Sequence, residues 1–144
     1  MLAYKRTKLP NLVLKRYNHS SFISGNFLFV VFGKLSENTY HSNKAEYLDL
    51  SDPDSEFKEV EIMNNVNSKY GPLNKFEDTM FFGWEPESKC EKIYFFGGQN
   101  NPAGNSYLYY MDIKWGKSKE NKHYPEKLEI VLVLDEISQS PINF

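Results

Sequence analysis

Residues 92–113 read KIYFFGGQNNPAGNSYLYYMDI: a short apolar strand, two glycines, a polar loop, and an aromatic strand that closes on an acid. Runs of aromatic and β-branched residues bounded by Gly, Asn and Pro are what strands joined by a loop look like in sequence. Residues 27–50, FLFVVFGKLSENTYHSNKAEYLDL, follow the same plan. Gly33 and Gly97 lie 64 positions apart, and Asp49 and Asp112 lie 63 apart, so the two units correspond to within one residue. A repeat whose unit is a set of strands predicts a fold built by multiplying one small sheet.

Working outward, each unit offers four strands. In the first, strands over 19–23 and 27–32 flank Ser24-Gly25-Asn26, whose small residues predict a tight hairpin. Residues 34–43 are polar and expected to loop. Residues 44–50 form the third strand, and Ser51-Asp52-Pro53-Asp54 is a turn. Residues 56–62, EFKEVEI, alternate acid with apolar and predict an edge strand, Glu59 and Glu61 facing water and Val60 and Ile62 facing inward. Residues 64–78 read as a connector. In the second unit the strands fall at 79–85, 91–96, 106–113 and 128–134, with 114–127 a charged insertion and 135–144 a tail. Residues 1–15, basic and broken by Pro10, lead in, with a strand-like piece at 11–14. No stretch sustains an apolar period of 3.6, so little helix is expected.

The 144 residues are 40% hydrophobic and 16% aromatic, enough for one packed core. A net charge of -2 without a basic stripe argues against nucleic acid as a partner, because phosphate binding needs a cationic face. The one cysteine, Cys90, can form no intrachain disulfide, and a structural zinc site usually takes four Cys or His ligands, so a reducing, cytoplasmic setting is expected. Residues 1–10, MLAYKRTKLP, hold no apolar leader, and the longest apolar run, 27–32, is too short to span a bilayer. No membrane association is expected.

Four strands per unit, a glycine pair after the second and Tyr with Asp ending the third resemble the Kelch repeat of β-propellers. Arg16-x-x-His19-Ser20 is similar to the R-x-x-H-S that often opens such a repeat. The resemblance covers roughly 16–134 and implies an all-β fold of two four-stranded antiparallel blades, 16–63 and 79–134, joined by 64–78. It implies structural roles for Gly33, Gly97 and Gly98 as turns with positive φ passing close to a neighbouring blade. Tyr47 and Tyr110 would pack between blades, and Asp49 and Asp112 would cap the turns into the fourth strands. The first unit carries Gly33-Lys34 where the family has two glycines. Two blades do not close a ring. The chain is then a piece of a longer propeller, a truncated relative, or a protomer that closes a ring with further copies.

Catalytic signatures are missing from the sequence. His19, His41 and His123 are too dispersed for a ligand set, and Gly97-Gly98 is followed by a strand, which excludes a dinucleotide fingerprint. Neither a Gly-x-Ser-x-Gly nor a P-loop is present. The expectation is therefore a non-catalytic scaffold without a cofactor or metal, holding a protein or peptide at loops that share one end of the blades. Tyr40, His41, Gln99, Asn100 and Asn101 are the candidate contact residues, since Asn, Tyr and Gln make adaptable hydrogen bonds. Two alternatives stay open: a Kelch-like copper oxidase similar to galactose oxidase, and a structural subunit that completes a propeller within an assembly.

Overall fold

A computed structural model describes residues 8–37, 39–40, 43–64, 67–68, 71–72, 80–84, 92–96 and 108–134. The described residues are all-β, without a helix, and none of their elements is a helix long and apolar enough to cross a membrane. The strands are β1 (Ser20–Ser24), β2 (Phe27–Val31), β3 (Lys34–Ser36), β4 (Thr39–Tyr40), β5 (Lys44–Asp49), β6 (Lys58–Asn64), β7 (Asn67–Ser68), β8 (Gly71–Pro72), β9 (Met80–Trp84), β10 (Lys92–Phe96), β11 (Leu108–Lys117) and β12 (His123–Leu134). Eight of them form one curled sheet in the order β1-β2-β5-β6-β12-β11-β10-β9, a half-barrel.

Both expected four-stranded antiparallel runs occur within it, β1-β2-β5-β6 and β9-β10-β11-β12, but not as separate blades. Their fourth strands pair in parallel, Leu128 opposite Ile62 and Ile130 opposite Asn64, so the runs are halves of a single mixed sheet. This corrects the edge strand expected at 56–62. Glu59 and Glu61 are exposed while Val60 and Ile62 are buried, as the alternation required, yet β6 lies between β5 and β12. Alternation reports which face of a sheet meets water and is silent on whether the strand's backbone edges are paired.

The concave face holds the main core. Phe22, Phe29, Val31, Ala45, Tyr47, Val60 and Ile62 from the first half meet Ile93, Phe95, Tyr109, Met111, Leu128 and Ile130 from the second. Phe95 stacks on Tyr109 at 5.1 Å and leans on Phe32 at 5.7 Å, linking the halves across the interior. Each such large side chain taken out of water stabilises the fold by about 1.5–3 kcal/mol. A smaller cluster, Val30, Leu48 and Phe57, sits on the convex face of β2 and β5, with Leu12 packed against it.

Leu12 arrives there because the lead-in, expected as a strand or a connector, is a connecting strap without a strand at 11–14. Glu46, on the convex face of β5, accepts hydrogen bonds from Val13 N and Leu14 N (the latter 3.2 Å) and pairs with the Arg16 guanidinium at 2.9 Å. Arg16 also donates to Phe32 O at 3.0 Å and Lys44 O at 3.2 Å. Burial lowers the Arg16 pKa, against the pull of Glu46. Beyond the strap, Tyr17 and Lys34 exchange backbone hydrogen bonds of 3.0 and 2.8 Å.

Two further expectations give way. The stretch 34–43 contains the short hairpin β3-β4, and 114–127 is no insertion: β11 and β12 run on as one long hairpin that turns at 118–122. Its charges belong to strands that outrun the core, where Lys114, Lys117, His123 and Glu126 are exposed while Pro125 is buried. Pro125 sits opposite Trp115 beside a register shift, where a missing N–H is tolerated.

Candidate functional site

By strand direction, the ends joined through 32–43, 65–79 and 97–107 all lie at one end of the sheet. The Gly25-Asn26 hairpin, the 50–57 loop and the 118–122 turn lie at the other. The sequence placed binding at the first end. Of its contact residues, Tyr40 closes β4 opposite Lys34, with only its backbone described, and His41, Gln99, Asn100 and Asn101 lie outside the described residues. Gly97, Gly98 and Cys90 lie outside them as well.

The opposite end carries a cleft of about 660 Å³ that the sequence reading missed. It opens across the joint between the halves. Phe27, Tyr47 and Tyr124 provide its aromatic surface, and the loop 49–56 and the 118–123 turn form its walls. Behind the surface, Phe27 meets Tyr47 edge-on at 5.8 Å and leans on Trp115 at 5.5 Å.

Local chemistry holds both walls in place. Asp49 Oδ1 accepts from Ser51 N at 2.9 Å and from Ser51 Oγ at 2.6 Å, the turn-capping role expected of it. Asp49 N donates to Ser55 Oγ at 3.2 Å, Asp54 N to Asp52 Oδ1 at 2.9 Å, and Leu50 N to Asn26 O at 2.7 Å. Across the cleft, Asn121 adopts φ 62 and its N–H donates to Ser118 O at 2.9 Å, while Ser118 N donates to Lys122 O at 2.8 Å. A wall braced this way loses little freedom when a ligand arrives.

Tyr47 sits at the base of the cleft, 9% exposed, and its hydroxyl has no hydrogen-bond partner among the described residues. Burial, with Tyr124 and Asp49 nearby, raises its pKa above the usual 10, so it stays a neutral phenol. Carboxylates line the cleft in excess: Asp49, Asp52, Asp54, Glu56 and Glu120 against Lys58 and Lys122. Glu120 and Lys122 stand 3.8 Å apart and are both about four-fifths exposed, a pair of little energetic weight.

Tyr124 lies over Gly116, its cross-strand partner. A Cβ at Gly116 would come within 2.7 Å of Tyr124 Cζ and 2.9 Å of its hydroxyl. Only the far end of a side chain would have to yield. Gly116→Ala should therefore change stability by less than about 1 kcal/mol while moving Tyr124 off the cleft wall. Aromatic proton NMR of the Tyr124 ring would show the move, and an unchanged ring environment would contradict it.

The second unit's motif residues do not repeat the first's. Phe29 opposes Tyr47 and Ile93 opposes Met111, so the offset of Gly33 to Gly97 runs through the structure and Tyr47 corresponds to Met111. A one-residue slip in a strand exchanges its faces. Tyr110 consequently lies on the convex side, edge-on to Tyr94 at 6.2 Å, instead of inside. Asp112 caps no turn: mid-strand, it holds Lys114 Nζ at 2.8 Å and raises that amine's pKa. Gly33 has the expected positive φ, 86°, but the chain it approaches is Tyr17 and His19 of its own unit.

No group of three or more His, Cys, Asp or Glu among the described residues is arranged to hold a metal ion. What the cleft offers is aromatic surface, a solvent-reaching hydroxyl without a partner among the described residues, and negative charge. No protein-family model, curated protein or solved structure matches the chain.

Proposed function

We propose that this chain is a non-catalytic binding module that holds a segment of a protein partner in the cleft between its two halves. The observation that carries the reading is the joining of an aromatic base, whose Tyr47 hydroxyl reaches solvent and has no partner among the described residues, to two walls already braced by their own hydrogen bonds. The Kelch resemblance supports the same class of function, since such repeats most often scaffold protein partners. Kelch kinship, blade-like behaviour of the two halves in a larger assembly and a cytoplasmic setting belong to this proposal.

Peptides selected by display against the purified chain, then mapped by amide NMR, would test it. Shifts should gather at Tyr47, Asp49, Ser55 and Tyr124. Shifts confined to 34–43 and 99–105 would move the site to the opposite end and overturn the cleft assignment.

A further inference from the structure

Building on that proposed function, the ligand's chemistry can be narrowed. We infer that the cleft takes the side chain of a lysine or arginine from the partner's segment, its cationic head against the Tyr47 hydroxyl and among the wall carboxylates.

Two independent observations meet here. The first is the Tyr47 phenol, nine-tenths buried, lining the cleft and lacking a hydrogen-bond partner among the described residues. That hydroxyl is the solvent-reaching end of an otherwise buried side chain, and the ammonium or guanidinium group, which only donates, matches a phenol oxygen that accepts. The second is the charge of the walls, where carboxylates outnumber lysines five to two. An anionic ligand would meet repulsion there, and a purely apolar one would leave the phenol and the carboxylates uncompensated.

The aromatic surfaces complete the fit. The methylene stem of Lys or Arg can lie along Phe27 while the head stands near the face of Tyr124, a cation–π arrangement. Asp54 and Glu56 are exposed and attract at longer range, so they set encounter rate and salt sensitivity more than final geometry.

The test uses four blocked tripeptides, acetyl-Gly-X-Gly-amide with X as Lys, Arg, Leu or Glu, titrated into the full chain and followed by amide NMR. The Lys and Arg peptides should move the cleft resonances with affinities at least tenfold above the Leu and Glu peptides. Tyr47→Phe, which keeps the ring, should weaken the cationic peptides several-fold at unchanged melting temperature. Asp54→Asn with Glu56→Gln should weaken them about tenfold at low salt and less at high salt. Equal binding of the Leu or Glu peptide would overturn the cationic assignment while leaving the cleft as the site. Cationic binding that ignores all these substitutions would overturn the inference. Selected peptides that bind elsewhere on the chain would instead defeat the proposed function beneath it.

Discussion

Replacing Glu46 by alanine is expected to destabilise the protein by about 3–5 kcal/mol, the usual result of breaking a buried ion pair from one side. Both side chains of the Arg16–Glu46 pair are fully inaccessible to solvent. Removing the carboxylate leaves the guanidinium with only the carbonyls of Phe32 and Lys44, and strips the acceptor from Val13 N and Leu14 N. The strap then loses its anchor, and with it the cover that Leu12 gives to Val30, Leu48 and Phe57. Against a typical total of about 5–15 kcal/mol, that is a large share. Urea denaturation of Glu46→Ala, Arg16→Met and the double variant Arg16→Met/Glu46→Leu measures it. The double variant should recover much of the loss, since two apolar groups leave no buried charge behind. A Glu46→Ala loss under about 1 kcal/mol would show the strap to be a loose appendage.

Gly33→Ala is expected to cost about 2–5 kcal/mol, combining backbone strain with overpacking. Gly33 has φ 86, a conformation that side chains resist, and Phe32 before it also has positive φ, 61. An added Cβ would stand 2.6 Å from Tyr17 O and 3.0 Å from His19 Cα. Both obstacles include backbone, so relief requires parting Tyr17 from Lys34 and disturbing the segment that carries Arg16. The contrast with Gly116 is instructive: there the obstacle is a swinging ring, here it is the chain itself. Thermal unfolding of Gly33→Ala and Gly116→Ala side by side should show a large drop for the first and little for the second. Equal drops would mean that neither glycine is judged correctly.

The strands were legible in the sequence because their signal is local. FLFVV, KAEYLD and KIYFF carry the aromatic and β-branched residues that suit a pleated surface, and Gly25-Asn26 and Asp52-Pro53-Asp54 carry their turns in two or three residues. Which edges meet was not legible, since the pairing of β6 with β12 joins segments distant in the chain through backbone groups common to every residue. The slip between Tyr47 and Tyr110 illustrates a finer limit. Motif spacing tolerates one residue, whereas a pleated strand reverses its faces over that distance.

Much the same holds for the candidate site. Asp49 was identified as a turn cap and it is one, but Tyr124 and Glu120 fall in a stretch that charge content marked as an insertion. Gly116 across from Tyr124, at matching positions of a hairpin, was the clue available, since strand glycines often leave room for a facing ring. Glu46 offered another. An acid at the centre of the apolar run Ala45-Glu46-Tyr47-Leu48 needs a cationic partner if it is buried, and Arg16 was already in view as part of a motif.

The parallel joint between β6 and β12 also bears on the order in which this chain assembles. Within each half every pairing is antiparallel between strands near one another in sequence, with only the β3-β4 hairpin intervening between β2 and β5, so the loops to be closed are short and the contacts local. The joint requires the largest loop closure in the sheet and offers a ladder of only three paired residues on each side in return. Two hairpin-built nuclei that form early and dock late are the route this topology favours. Docking creates the cleft, since its walls come from different halves, and a partner gripping both walls would act as a clamp on the last step of folding.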